Sequence, residues 1–131
     1  MVAVHEMMQS VESMQSTLRK LENSKKQMMQ KGASTTLVSK RLQAVEIGLA
    51  LLEYKWSSKP YNCAREEILA ARQVLNGLMP SLQSMYTKSK TGSPQKTLLE
   101  RRIKAIELSL EVMKEIHLDS TIDIFKDNAK E

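Results

Sequence analysis

A chain of 131 residues that is 41% hydrophobic and 27% charged has the balance of one compact domain and excludes a disordered polymer. Aromatic residues at 4%, set against nine Met, disfavour a β architecture and favour helices packed through Leu, Ile, Val and Met. A single cysteine, Cys63, excludes an internal disulfide, and the net charge of +5 is too small by itself to name a partner.

The amino-terminal segment MVAVHEMMQS lacks a basic n-region and a long apolar stretch. Glu46 interrupts the greasiest run, LQAVEIGLALL, before it could span a bilayer. The expectation is a cytoplasmic chain with no membrane anchor.

The first predicted helix carries an apolar seam at alternating steps of four and three: Val4, Met7, Val11, Met14, Leu18, Leu21 and Met28, with Lys25 interposed. Met8 and Met29 lie just off that seam, where flexible thioethers suit either core filling or a protein-binding stripe. Gly32 supplies the left-handed stop, and Ser34, Thr35 and Thr36 offer oxygens to cap the next helix. The second seam runs Val38, Leu42, Val45, Leu49, Leu52 and Trp56. SSKPYN then breaks the pattern, with Asn62 as the expected cap of the third helix.

The third seam is Tyr61, Ala64, Ile68, Ala71, Leu75, Leu78, Leu82 and Met85. Pro80, off this seam, removes a backbone hydrogen bond near Asn76, while Gly77 loosens the same turn, so the helix should curve around its core. TGSP closes the third helix and opens the fourth, with Ser93 as cap and Pro94 at the first helical position. The fourth seam reads Leu99, Ile103, Ile106, Leu110, Met113 and His117, followed by an acidic extension over 119–131 in which Ile122, Ile124 and Phe125 are expected to fold back.

The fourth helix repeats the second. Adding 61 to each number superposes TLVSKRLQAVEIGLALLEYKW on TLLERRIKAIELSLEVMKEIH without a gap. Identities fall at Thr36/Thr97, Leu37/Leu98, Arg41/Arg102, Ala44/Ala105, Glu46/Glu107 and Leu49/Leu110. The same offset carries Met14 onto Leu75 and Leu21 onto Leu82, so the repeated unit is an αα-hairpin. The predicted fold is therefore all-α: an up-down-up-down four-helix bundle over 1–118, built from duplicated hairpins at 3–57 and 61–118. A further strip, Leu37, Ala44, Ile47 and Leu51 with its echo Leu98, Ala105, Leu108 and Val112, serves either the core or a homodimer.

In that topology both hairpin turns share one end. Residues 25–41 carry Lys25, Lys26, Lys31, Lys40 and Arg41 and no acid. Residues 88–104 carry Lys88, Lys90, Lys96, Arg101, Arg102 and Lys104 against Glu100 alone. Together these segments hold a net +10 and leave the remainder at −5, and the opposite end gathers Glu6, Glu66, Glu67, Glu115, Asp119, Asp123 and Asp127. Cations near helix carboxyl ends favour the dipole, which accounts for Lys25, Lys26, Lys31, Lys88 and Lys90. Lys40, Arg41, Lys96, Arg101 and Arg102 fall in early turns, where the dipole opposes them; with neighbouring hydroxyls and free amides they suit a phosphate or carboxylate.

His5, Cys63 and His117 gather at the other end, where Glu66, Glu67 or Asp119 would have to join them to bind a metal, and where a helix amino end could activate the thiol. Their spacing matches no zinc pattern, so capping and rim roles are expected. There is no Glu-x-x-His pair, Gly-rich phosphate loop or nucleophile elbow. The expectation is a non-enzymatic protein-interaction module without a cofactor, acting through its basic end. The alternative is a nucleic-acid-associated protein clamping phosphates, which lacks interleaved aromatics for base stacking.

Overall fold

The computed structural model describes residues 2–130, with side chains described from 2 to 116. Its elements are α1 (Val4–Gln30), α2 (Thr36–Ser57), α3 (Arg65–Lys88) and α4 (Pro94–Lys130), with no strand among the described residues. The expected all-helical, four-helix architecture is thus present. No described helix is long and apolar enough to cross a membrane. His117 and the expected acidic extension lie outside the described side chains.

The turns follow local chemistry. Gly32 adopts φ +72°, and the amides of Gly32 and Ala33 return to the carbonyls of Met29 and Met28 at 3.2 and 2.9 Å, so a left-handed residue closes the orphan carbonyls of α1. Ser93 caps α4 as expected: its Oγ accepts the Lys96 amide at 3.2 Å, with Pro94 opening the helix. Two other expected caps are corrected. Thr35 precedes α2 without a side-chain cap bond, and Ser34 Oγ instead lies 3.3 Å from Thr36 Oγ1. Ala64, not Asn62, precedes α3; Ala64 has no cap oxygen, but Glu67 Oε1 reaches back to accept its amide at 2.9 Å. The edge-to-face pair of Tyr54 and Tyr61, 4.9 Å between centroids, pins the α2–α3 connection to α2. α3 passes through Pro80, which is exposed, and continues to Lys88.

One hydrophobic cluster draws on all four helices. Its arrangement is unequal. α2 and α4 each touch the other three helices, whereas α1 and α3 do not touch one another among the described residues. Small residues explain the α2–α4 approach: Ala44, Gly48, Ala105 and Ser109 are all buried where the two helices meet, and Ser109 Oγ lies 3.5 Å from Gly48 O. A Cβ on Gly48 would stand 2.7 Å from Met14 Cε and 3.2 Å from Ser109 Oγ, so only glycine fits without displacement. The Ser109 hydroxyl donates to its own helix at Ala105 O, 2.9 Å away, so burying it leaves no unmet donor.

This closeness decides the open strip. Ala44, Ile47, Leu51, Ala105, Leu108 and Val112 are core residues, and only Leu37 and Leu98 stay exposed, at 60% and 55%. The outer helices bury less: Ser10 and Met14 on α1, and Ile68, Ala71, Leu75 and Leu82 on α3. Of the α1 methionines, Met14 fills the core while Met8 and Met29 are exposed.

Candidate functional site

The ten basic residues singled out in the sequence occupy four places. Lys25, Lys26 and Lys31 lie at the end of α1 and its turn, and Lys88 and Lys90 at the end of α3 and its turn; all but Lys25 are exposed. Lys40 and Arg41 lie early in α2, and Lys96, Arg101 and Arg102 early in α4. The first turns of α2 and α4 contain no acid. The ion pairs among the described residues are Lys55–Glu115 at 2.9 Å and Lys59–Glu53 at 2.8 Å, and neither uses any of the ten. At the first turns of α2 and α4, then, neither an acid nor an ion pair among the described residues offsets the positive end of the helix dipole.

Lys96 does have a partner: its Nζ sits 4.6 Å above the Tyr86 ring, fastening the start of α4 to the last turns of α3. Arg102 is the most constrained of the set. It is half-buried, its Nε is enclosed without a hydrogen-bond partner, and burial lowers the pKa of its guanidinium from the ordinary value. The group remains a cation at neutral pH, so its desolvation is uncompensated by the surrounding chain.

Two clefts flank these residues. In the α1–α4 valley a cavity of about 300 Å³ is lined by Arg19, Lys20, Arg101 and Arg102 together with Ser13 and Ser16. It shares Gln9 and Arg101 with a neighbouring cavity of about 530 Å³ that also includes Glu6, Glu100, Lys104 and Glu107. The α2–α3 cleft, about 270 Å³, contains Lys40, Ala70 and Val74, and Gln43 Nε2 there donates to Glu67 Oε2 at 3.2 Å. Arg41 lines none of the three cavities.

This placement corrects the clean division into a basic and an acidic end. Glu6 and Glu67 lie in the clefts beside Arg101 and Lys40 rather than at the far end. The physical reason is axial stagger: sliding one helix along another by a heptad, roughly 10 Å, leaves its apolar stripe facing the same way. Periodicity therefore reports the face and not the height. Arg19 and Lys20 escaped the sequence reading for the same reason, since nothing local shows that mid-α1 cations reach the start of α4.

At the other expected cluster, His5 is exposed and Cys63 is partly buried. Burial, then the Glu67 carboxylate, pushes the Cys63 thiol up, the opposite of activation by a helix amino end. No group of three or more His, Cys, Asp or Glu among the described residues could hold a metal ion. The class these features define is an all-helical, four-helix protein. Comparison of the chain with protein-family models, with curated proteins and with solved structures finds no match in any of the three.

Proposed function

We propose that this protein is a non-enzymatic, cytoplasmic protein-interaction module, an adaptor or regulator that engages an acidic partner through the basic residues at the starts of α2 and α4. The observation that carries the reading is the set of ten cations, none of which forms an ion pair among the described residues, with five of them near the starts of α2 and α4. The lone cysteine fits a reducing compartment.

The reading includes a duplicated up-down-up-down bundle, which sets the two basic starts side by side. Burial supports it. Val38, Ala44, Val45, Ile47, Gly48, Leu51 and Leu52 of α2 are buried, and so is the residue 61 positions later in every case, from Leu99 to Met113. Gly48 meets its own counterpart, Ser109, and Lys55 meets Glu115 further along, which supports α2 and α4 running in the same direction.

Nucleic acid is the second reading, and the acids of the valley weigh against it: Glu6, Glu12, Glu100 and Glu107 beside Arg101 would repel a continuous phosphate backbone. Charge reversal tests both. With helix content unchanged, Arg41→Glu, Arg101→Glu and Arg102→Glu together should abolish capture of the protein's cellular partner; undiminished capture refutes the proposal. Random duplex should show no binding even at low salt, and a salt-sensitive shift there would favour the nucleic-acid reading.

A further inference from the structure

The two valleys, α1–α4 and α2–α3, are related by the same offset of 61 that relates the hairpins, so each serves as a control for the other. They have diverged in charge, most of all on the α1 and α3 sides. Where the α1–α4 valley has Arg19 and Lys20, the second hairpin has Pro80 and Ser81; where it has Gln9, Ser13 and Ser16, the second has Ala70, Val74 and Gly77. Arg101 and Arg102 correspond to the equally basic Lys40 and Arg41, so the α1–α4 groove differs by the added cations Arg19 and Lys20 and by more hydrogen-bonding groups, offset by Glu12 where the other has Gln73. A charge run that only solubilised the surface would have no reason to prefer one copy. None of Arg19, Lys20, Arg101 and Arg102 forms an ion pair among the described residues, and Arg102 Nε is enclosed and unpartnered.

The shape selects among anions. The lining of the cavity that holds the four cations runs along α1 from Gln9 to Lys20, about 16 Å at the helical rise, which matches roughly five residues of extended chain and exceeds what a single phosphate would occupy. Leu98, exposed at 55%, lines the same cavity as Arg101, Arg102, Ser13 and Ser16 and offers an apolar contact within the cationic stretch. Glu12 among these cations, and Glu6, Glu100 and Glu107 in the adjoining cavity, would oppose a uniformly anionic ligand but accept a peptide amide or basic group.

We propose that the α1–α4 valley is a docking groove for a short acidic peptide segment of a protein partner. Its carboxylates lie over Arg19, Lys20, Arg101 and Arg102, and an apolar side chain lies on Leu98. The inference rests on the interaction-module reading and narrows it from a basic surface to one groove. The half-buried Arg102 is the anchor, because a charge already stripped of water has least desolvation left to undergo on pairing. Arg19, Lys20 and Arg101 are exposed and supply attraction and register.

The test uses the full chain and a fluorescein-labelled peptide of alternating Glu and Leu, read by anisotropy at low salt. Arg19→Glu with Arg101→Glu, both at exposed positions, should weaken binding by about tenfold or more, as loss of close charge pairs does. Lys114→Glu, exposed on α4 and outside the groove, should change it by less than about twofold. If Lys31→Glu with Lys90→Glu in the turns weakens binding as much as the groove pair, the groove is wrong while the basic-surface reading survives. If the peptide does not bind at all, both fall. An oligonucleotide of equal charge binding more tightly than the peptide would also overturn the groove assignment.

Discussion

Glycine at two positions shows how differently one residue type can be constrained. Gly77 sits inside α3, exposed, with nothing within 4 Å of the site a Cβ would take. Gly77→Ala should therefore raise stability by about 0.5–1 kcal/mol through backbone entropy alone, measurable as a higher urea midpoint. Gly48 is the reverse case. Alanine there recovers helix propensity but has to displace Met14 Cε, a flexible tip in a fully buried side chain, whereas Gly48→Val also drives into Ser109. Gly48→Val should cost about 2 kcal/mol, the scale of overpacking a core, and a neutral result would mean that α2 and α4 do not approach through small residues.

Among the elements, the two basic helices begin differently. α4 starts on a made cap, Ser93 Oγ to the Lys96 amide, with Pro94 already in helical conformation, whereas α2 starts at Thr35 without a side-chain cap bond. Ser93→Ala should thus destabilise by about 1 kcal/mol and Thr35→Ala by less than about half that, compared by chemical denaturation. Equal losses would contradict the difference in capping. Fraying at Pro94 would loosen the first turn of α4, which precedes Arg101 and Arg102. Lys96 over Tyr86 opposes that fraying by tying α4 to α3.

For the molecule as a whole, the close α2–α4 contact consumes the strip that could have made a dimer. Ala44, Ile47, Leu51, Ala105, Leu108 and Val112 are all buried within the chain, and Leu37 and Leu98 remain outside on separate helices. Light scattering should accordingly read a mass near 14.9 kDa. Leu37→Ser with Leu98→Ser should leave stability within about 0.5 kcal/mol, against a loss of about 2–5 kcal/mol for Leu51→Ala. A dimer that Leu37→Ser dissolves would return the strip to an interface role.

Much of this architecture was legible in the linear order of residues. Sustained spacing of apolar positions, Gly32 as a stop, and Ser93 with Pro94 as a start are local physics, decided within a few residues of backbone geometry. The offset of 61 was equally open to reading, because it is a property of order alone. Distance between segments is of another kind. That Arg19 and Lys20 stand beside Arg101 and Arg102, that Glu6 and Glu67 share clefts with cations, and that Ala44 and Ala105 face a neighbour rather than water all depend on axial stagger and on how closely two helices approach. A periodic stripe looks the same after sliding by a heptad, so sequence determined the helices, their faces and their charges, and tertiary packing alone decided which charges meet in a groove.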